Sequence, residues 1–292
     1  MRPVRPHAVP AAVTAINVLL AAGPCAGAVT TVFSYADFTG ATGLTFNGGA
    51  TTGPGLTPAE GTTLSVTPPV RATAGSVWRS PRVSVAGGFA CDFAFRIRDV
   101  SGLGTDGLAF VIQNQGSTAI GGTGGAIGFS TNLSFPDTGT GIRESVAVVF
   151  DTFDNTGVWP SVAGSDVLTV QTRGHLPNDP SSTYSLGATA AAGDFNDGLV
   201  HRVRVLYEPG TLRVYVDGLN APKLTVPLDL PGTIALTGGT DAYVGFTAAT
   251  GALANVQRHE VLSWSYVVPT PGSAALAVIA VALPFARRAR RS

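Results

Sequence analysis

Leu199-Val-His-Arg-Val-Arg-Val-Leu-Tyr207, Glu208-Pro-Gly210 and Thr211-Leu-Arg-Val-Tyr-Val-Asp-Gly218 read as two strands joined by a tight turn. In the first arm His201, Val203 and Val205 share one face, and Arg202 and Arg204 point the other way. His201 is therefore read as a histidine packed within a strand rather than as a ligand. The second arm alternates in the same manner. Further strand signals fall at 89–97, 107–113, 144–150, 167–172, 242–248 and 261–267, and no amphipathic helix is apparent between 29 and 268. Many short β-prone runs punctuated by glycine and proline predict an all-β protein, a sandwich of packed antiparallel sheets. No linker divides it, so one domain is expected over 29–267.

Composition agrees with an ordered β protein. Hydrophobic residues make up 45% of the 292 positions and charged residues only 12%, which argues against disorder despite 37 glycines and 20 prolines. The formal charge of zero hides an asymmetry. Of 18 basic residues, six are Arg2, Arg5, Arg287, Arg288, Arg290 and Arg291; the other 12 stand against 18 acidic residues, a net of −6 between the ends. A mildly acidic body without an interior basic run predicts no nucleic-acid partner. Cys91 sits in an alternating stretch and reads as a small buried hydrophobe, and with Cys25 in the N-terminal segment no disulfide is expected in the domain.

The two ends read as targeting segments. Residues 1–28 combine Arg2 and Arg5, an apolar run over 11–22 and small residues at Ala26 and Ala28, the pattern of a secretory signal. At the other end, Tyr266-Val-Val-Pro-Thr-Pro-Gly272 precedes an apolar segment over 273–286 and a final Arg-Arg-Ala-Arg-Arg-Ser. This tail, 268–292, resembles the PEP-CTERM sorting signal of Gram-negative bacteria, with Pro269-Thr-Pro271 in place of Pro-Glu-Pro. The resemblance implies export to the cell envelope or outer surface, transient membrane anchoring by the C-terminal helix, and envelope sorting machinery as a partner.

Three polar loops carry the candidate chemistry. In Gly104-Thr-Asp-Gly-Leu-Ala-Phe110, Asp106 places a carboxylate at the start of an apolar strand, where it can accept hydroxyl hydrogen bonds from a polyol, although Asp-Gly is also a common turn. Gly121-Gly-Thr-Gly-Gly-Ala-Ile-Gly128 lets backbone approach a ligand closely, but it lacks the lysine of a phosphate loop and the strand–helix context of a dinucleotide fingerprint. In Val148-Val-Phe-Asp-Thr-Phe-Asp-Asn155, Asp151, the Phe153 carbonyl and Asn155 offer hard oxygens suited to Ca²⁺. The set is incomplete for calcium, and Asp166 and Asp179 are the downstream candidates to extend it.

These loops stand among stretches that together resemble the L-type lectins, the legume-lectin-like jelly rolls. They are Phe38-Thr-Gly-Ala-Thr-Gly-Leu-Thr-Phe-Asn-Gly48, Gly75-Ser-Val-Trp78, the 197–218 hairpin, and Tyr243-Val-Gly-Phe-Thr-Ala-Ala-Thr-Gly251 followed by Leu262-Ser-Trp-Ser-Tyr266. Taken with the tail, the resemblance implies a bacterial L-type lectin that binds a glycan or exopolysaccharide. It assigns sugar contact to Asp106, Gly125, Phe153 and Asn155, with the 249–254 loop as a wall. It assigns calcium to Asp151, Phe153 and Asn155. Plant members have a glutamate where this chain has Val149, so the resemblance implies Ca²⁺ without the neighbouring Mn²⁺. The plant histidine position falls at Asp166. The animal cargo-receptor branch tolerates an apolar residue at Val149 and keeps one late aspartate, a role that Asp179 fits, with His175 as a rim partner for sugar.

Sugar hydrolysis usually needs two carboxylates facing each other across a cleft. The four glutamates, Glu60, Glu144, Glu208 and Glu260, form no closely spaced pair on a strand face, and no zinc or Ser–His–Asp constellation is apparent. The expectation is a binding protein rather than an enzyme; the alternatives are a structural surface protein with a degenerate lectin site and, behind it, a glycoside hydrolase. A shallow single site would gain avidity from several copies, as in a homo-oligomer.

Overall fold

A computed structural model describes residues 28–131, 141–155, 160, 166–190, 192–252 and 255–270. Two antiparallel sheets pack face to face. The back sheet runs in the order β14 (Leu224–Leu228), β13 (Gly210–Val216), β12 (His201–Glu208), β7 (Phe89–Ser101), β16 (Val256–Pro269), β4 (Thr62–Thr67) and β3 (Thr51–Pro54), and β1 (Val29–Tyr35) joins at β16. The front sheet runs β11 (Ser185–Thr189), β10 (Val167–Thr172), β9 (Ser145–Asp151), β8 (Gly107–Gln113), β15 (Asp241–Ala249), β5 (Ala74–Arg79) and β2 (Leu44–Gly48), with β6 (Val83–Ser84) against β15. The expected antiparallel sandwich is therefore present. Its helical content among the described residues is the four-residue α1 (Leu230–Thr233) and short 3₁₀ turns.

The opening hairpin is β12–β13. Glu208 pairs with Thr211, which leaves Pro209-Gly210 as a two-residue turn, and Gly210 has φ +93°. His201 lies on the inner face as expected. Its ring packs against Phe95 and Phe195, and its nitrogens reach Asp217 (2.8 Å) and Asp197 (3.1 Å).

The main core lies between the sheets, where Phe93, Phe95, Phe110, Phe150, Phe246, Trp264 and their neighbours interlock. Cys91 is fully buried there, accepts from the Trp264 indole N–H (3.2 Å), and has its thiol pushed up by burial. A second core covers the outer face of the front sheet, where Ala109, Val111, Ala147 and Val149 meet Trp78, Ile127 and Phe129. β9 is thus apolar on both faces, which is why every residue in it is buried and its sequence runs continuously hydrophobic instead of alternating.

The C-terminal boundary departs from expectation. β16 continues past the expected strand through Pro269, which pairs with Val29, so Val268 and Pro269 are sheet rather than the start of a tail. Tyr266 is fully buried and donates to the Ser84 carbonyl (2.9 Å). Residues 1–27 and 271–292, to which the signal and the tail helix were assigned, lie outside the described residues.

Candidate functional site

Strand register decides which loops meet. Gly107, the first residue of β8, pairs with Asp151 at the end of β9 and with Ala249 at the end of β15; Val167, the first residue of β10, also pairs with Asp151. The segments leaving these four positions therefore emerge together at one end of the front sheet.

Asp106 stands at the centre of that end. Its peptide with Thr105 is cis. Its N–H donates to the Ala249 carbonyl (2.9 Å), and its own carbonyl accepts from the Thr152 N–H (3.0 Å). The carboxylate is buried, and Oδ2 has no hydrogen-bond partner in the protein. Burial lifts its pKa to about 7, against the pull of hydrogen bonds from Asn155 and Thr105. A buried carboxylate oxygen without a partner is costly unless a ligand supplies one.

Asp151 is buried beside it and accepts the Phe153 N–H (3.1 Å). Burial is the main force raising its pKa well above the carboxylate range, and the charged neighbours Asp106, Asp166 and Asp154 raise it further. Asp166 takes the Phe195 N–H on Oδ2 (2.6 Å); its pKa is pushed up to about 6, chiefly by burial, with Asp194 adding to the rise. The Asn155 amide donates to the Phe153 carbonyl (3.2 Å). Gly125, in the 3₁₀ turn Gly124–Ala126, lies against that amide: a Cβ at 125 would stand 3.2 Å from Asn155 Oδ1. Gly251 closes over Asp106, where a Cβ would come 3.4 Å from Oδ2, and the Thr250 carbonyl accepts from Gly124 N–H (3.1 Å). Beside this centre an open cavity of about 730 Å³ is bordered by Leu103, Phe153, Asp154, Asp166, Asp194 and Asn196.

The structure thus brings together Asp106, Gly125, Asp151, Phe153, Asn155 and Asp166. It does not bring Asp179 or His175 to them, and those two assignments are corrected. Asp179 accepts the Ser181 N–H (2.9 Å), and its carbonyl takes a bond from Gln171, near the far end of β10. His175 is held by Glu144 (2.8 Å), which precedes the opposite end of β9. Asp166 and Asp179 sit at opposite ends of one strand, so both cannot serve one site. Thr152, Asn196 and Gln257 were missed. Gln257 signals itself as a polar residue in phase with Val261, an inward position of β16.

The glutamates are elsewhere. Glu60 and Glu260 join Arg96 in an ion network on the back sheet, Glu208 pairs with Arg213 at the hairpin, and Glu144 holds His175. Among the described residues, no group of three or more His, Cys, Asp or Glu side chains is arranged as a metal cluster.

A two-sheet jelly roll with a loop-built polar site at one end of its front sheet defines a lectin-type binding domain. The family model for the legume lectin domain matches residues 30–275, and the chain belongs to that family. It is a carbohydrate-binding fold. The chain is 30% identical over 207 residues to bark agglutinin I polypeptide B of Robinia pseudoacacia, covering 70% of this chain and 66% of that protein. It is 28% identical over 213 residues to the anti-H(O) lectin of Lotus tetragonolobus, covering 70% and 79%. The lectin from Bauhinia forficata, solved in complex with GalNAc, superimposes with a TM-score of 0.62 at 24% identity, over 83% of this chain and 100% of that one.

These similarities correct the reading of a bacterial protein with a PEP-CTERM tail. The similar proteins are plant lectins, and the family match runs through Pro269-Thr-Pro271 to residue 275. Localisation to a Gram-negative envelope falls with it. No helix among the described residues is long and apolar enough to cross a membrane.

Proposed function

We propose that the domain binds carbohydrate at the end of its front sheet, with a calcium ion ordering the site. The observation that carries this reading is the buried, unpartnered Oδ2 of Asp106 beside the Asn155 amide and the Gly125 backbone. A sugar hydroxyl donating to Oδ2 would satisfy it, and charge-assisted bonds of that type are the stronger ones. Phe153 at the adjoining cavity offers apolar surface for a pyranose face.

The donor chemistry fits calcium. Asp151, the Phe153 carbonyl and Asn155 offer oxygens only, and Asp166 emerges from the strand start opposite Asp151. The charged groups acting on Asp151 are all carboxylates, so a bound dication would relieve their mutual repulsion. Calcium would supply that neutral balance and hold Asn155 in place; sugar recognition itself rests on the chain's own groups. The Mn²⁺ found beside calcium in plant members does not fit, because Val149 is fully buried in the second core among Ala109, Ala147 and Phe129.

The test is a glycan array probed with the calcium-loaded protein, followed by calorimetry with the best sugar before and after EDTA. Binding that disappears with EDTA and returns with calcium is the expected result. Binding that persists through EDTA would remove calcium from the account. Calcium uptake without any glycan binding would favour the alternative of a structural surface protein with a degenerate lectin site.

A further inference from the structure

The end of the sandwich that carries the site is also where its interior ceases to be apolar. In the first part of β16, up to Val261, inward positions alternate, and the first two are Gln257 and His259, both fully buried. His259 pairs with Thr67 of β4, with Nδ1 2.6 Å from the Thr67 hydroxyl. The Gln257 amino group lies 3.0 Å from His259 Nε2 and donates to the Thr152 hydroxyl (2.6 Å). Asn196 Nδ2 approaches the Gln257 carbonyl oxygen at 3.5 Å. An amide N–H facing Nε2 requires that nitrogen to accept, so His259 is the neutral Nδ1–H tautomer and donates to Thr67. Both hydrogens of the Gln257 amino group are then used, and its oxygen faces a donor.

The two arms of Gln257 lead to the two segments that carry the site carboxylates. Thr152 lies between Asp151 and Phe153, and its N–H holds the Asp106 carbonyl (3.0 Å). Asn196 follows Phe195, whose N–H holds Asp166 (2.6 Å). Gly104, two residues before Asp106, packs on the same amide. A Cβ there would collide with the Gln257 oxygen and lie 3.0 Å from Asn196 Nδ2. The Gln257 amide is thus the branch point from which the back sheet reaches the segments of Asp106, Asp151 and Asp166. Apolar packing could fill the same space, but only directional bonds set distances and angles between those segments.

We infer that Gln257, oriented by His259, is a positioning residue that sets the spacing of these carboxylates for the cation. The inference rests on the calcium reading above. Partners that orient ligating groups change metal affinity by roughly 10- to 100-fold when removed. Thr152→Val deletes the hydroxyl with little change of volume, Gln257→Leu deletes the whole amide, and Thr152→Ser keeps the hydroxyl. Calcium affinity by calorimetry should fall by about 10- to 100-fold in Thr152→Val and Gln257→Leu and return to the wild-type value in Thr152→Ser. Hydrogen exchange of the 151–155 amides, measured on metal-free protein, should quicken in the first two variants only. Should Gln257→Leu fail to fold, Thr152→Val carries the test.

A purely structural role would lower the melting temperature and leave calcium affinity unchanged, which overturns the inference. So would a Thr152→Ser variant as weak as Thr152→Val. If wild-type protein takes up no calcium, the calcium reading fails first and this inference fails with it. If wild type binds calcium and the variants bind it equally, only this inference fails.

Discussion

His259 gives the fold a dependence on pH that can be worked out before it is measured. Its ring is fully buried between Thr67 and Gln257, both neutral, and burial alone lowers its pKa from 6.5 to about 3. Below pH 6.5 the unfolded chain takes up a proton at this histidine and the native protein does not. Stability should therefore fall as pH falls, by about 1.4 kcal/mol per pH unit, until the folded pKa near 3 is reached. By about pH 4.5 the loss is on the order of 2 to 3 kcal/mol. Other groups titrate in the same window. Asp106 and Asp166, with pKa values raised to about 7 and about 6, bind protons in the native state before the unfolded state does, and so gain stability as pH falls. Their contribution is common to wild type and a His259→Gln variant, and it cancels in the difference. Urea unfolding in EDTA, followed by the fluorescence of buried Trp78 and Trp264, would be run for both proteins from about pH 7.5 down to about pH 4.5. The variant's stability relative to wild type should climb steadily below pH 6.5. Parallel pH profiles would refute the reasoning, because they would mean that His259 protonates in the folded protein as easily as in the unfolded one.

Calcium at about a hundred times its dissociation constant should stabilise the domain by about 2.7 kcal/mol, or roughly 5–11 °C in melting temperature for a chain of this size; scanning fluorimetry with calcium against EDTA reads it, and equal melting temperatures would contradict a calcium site. Asp106→Asn should abolish sugar binding while raising the stability of metal-free protein by about 1–3 kcal/mol, since it removes a buried charge with an unpartnered oxygen; calorimetry and urea melts measure the two halves separately. Gly125→Val would push against Asn155 and should weaken sugar binding by about tenfold or more, near 1.4 kcal/mol, with the melting temperature little changed. Glu260→Ala, on the outward face of β16, should cost about 3 kcal/mol in a urea melt, because Arg96 and Arg98 lose a buried partner while Glu60 still holds Arg96.

Much of this architecture was legible because strand signals are local. The runs 107–113 and 167–172 coincide with β8 and β10, and the alternation around Pro209-Gly210 is the hairpin itself. Several strands escaped notice, β1, β4, β6 and β14 among them, and two further cases show why. β3 and β11 are short, glycine- and threonine-rich edge strands with little apolar pattern. The first five residues of β16, Val256-Gln-Arg-His-Glu260, are mostly polar because one face carries the ion network and the other the Gln257–His259 file. A polar stretch reads as loop unless the partners that satisfy it are known, and here those partners are distant in sequence.

The site divides along the same line. Asp106, Asp151, Phe153 and Asn155 flank ends of strands that pair directly, so motif and register together suffice to place them. Choosing between Asp166 and Asp179 required the path of the chain between β9 and β11, which no local pattern encodes. In the structure the two aspartates flank opposite ends of β10, and only the first residue of that strand lies opposite Asp151. The same geometry explains why the polar file belongs where it is. An apolar interior holds two sheets together by close packing, and hydrogen bonds add directional constraints to it. At the far end of the front sheet the demand is slight, since Glu144 and His175 meet there near the surface. At the near end, where three carboxylates converge, Gln257 of the back sheet donates to Thr152 just beyond β9 of the front sheet, a directional bond of 2.6 Å. The departure from an apolar core in β16 and the convergence of carboxylates above β9 are two sides of one arrangement.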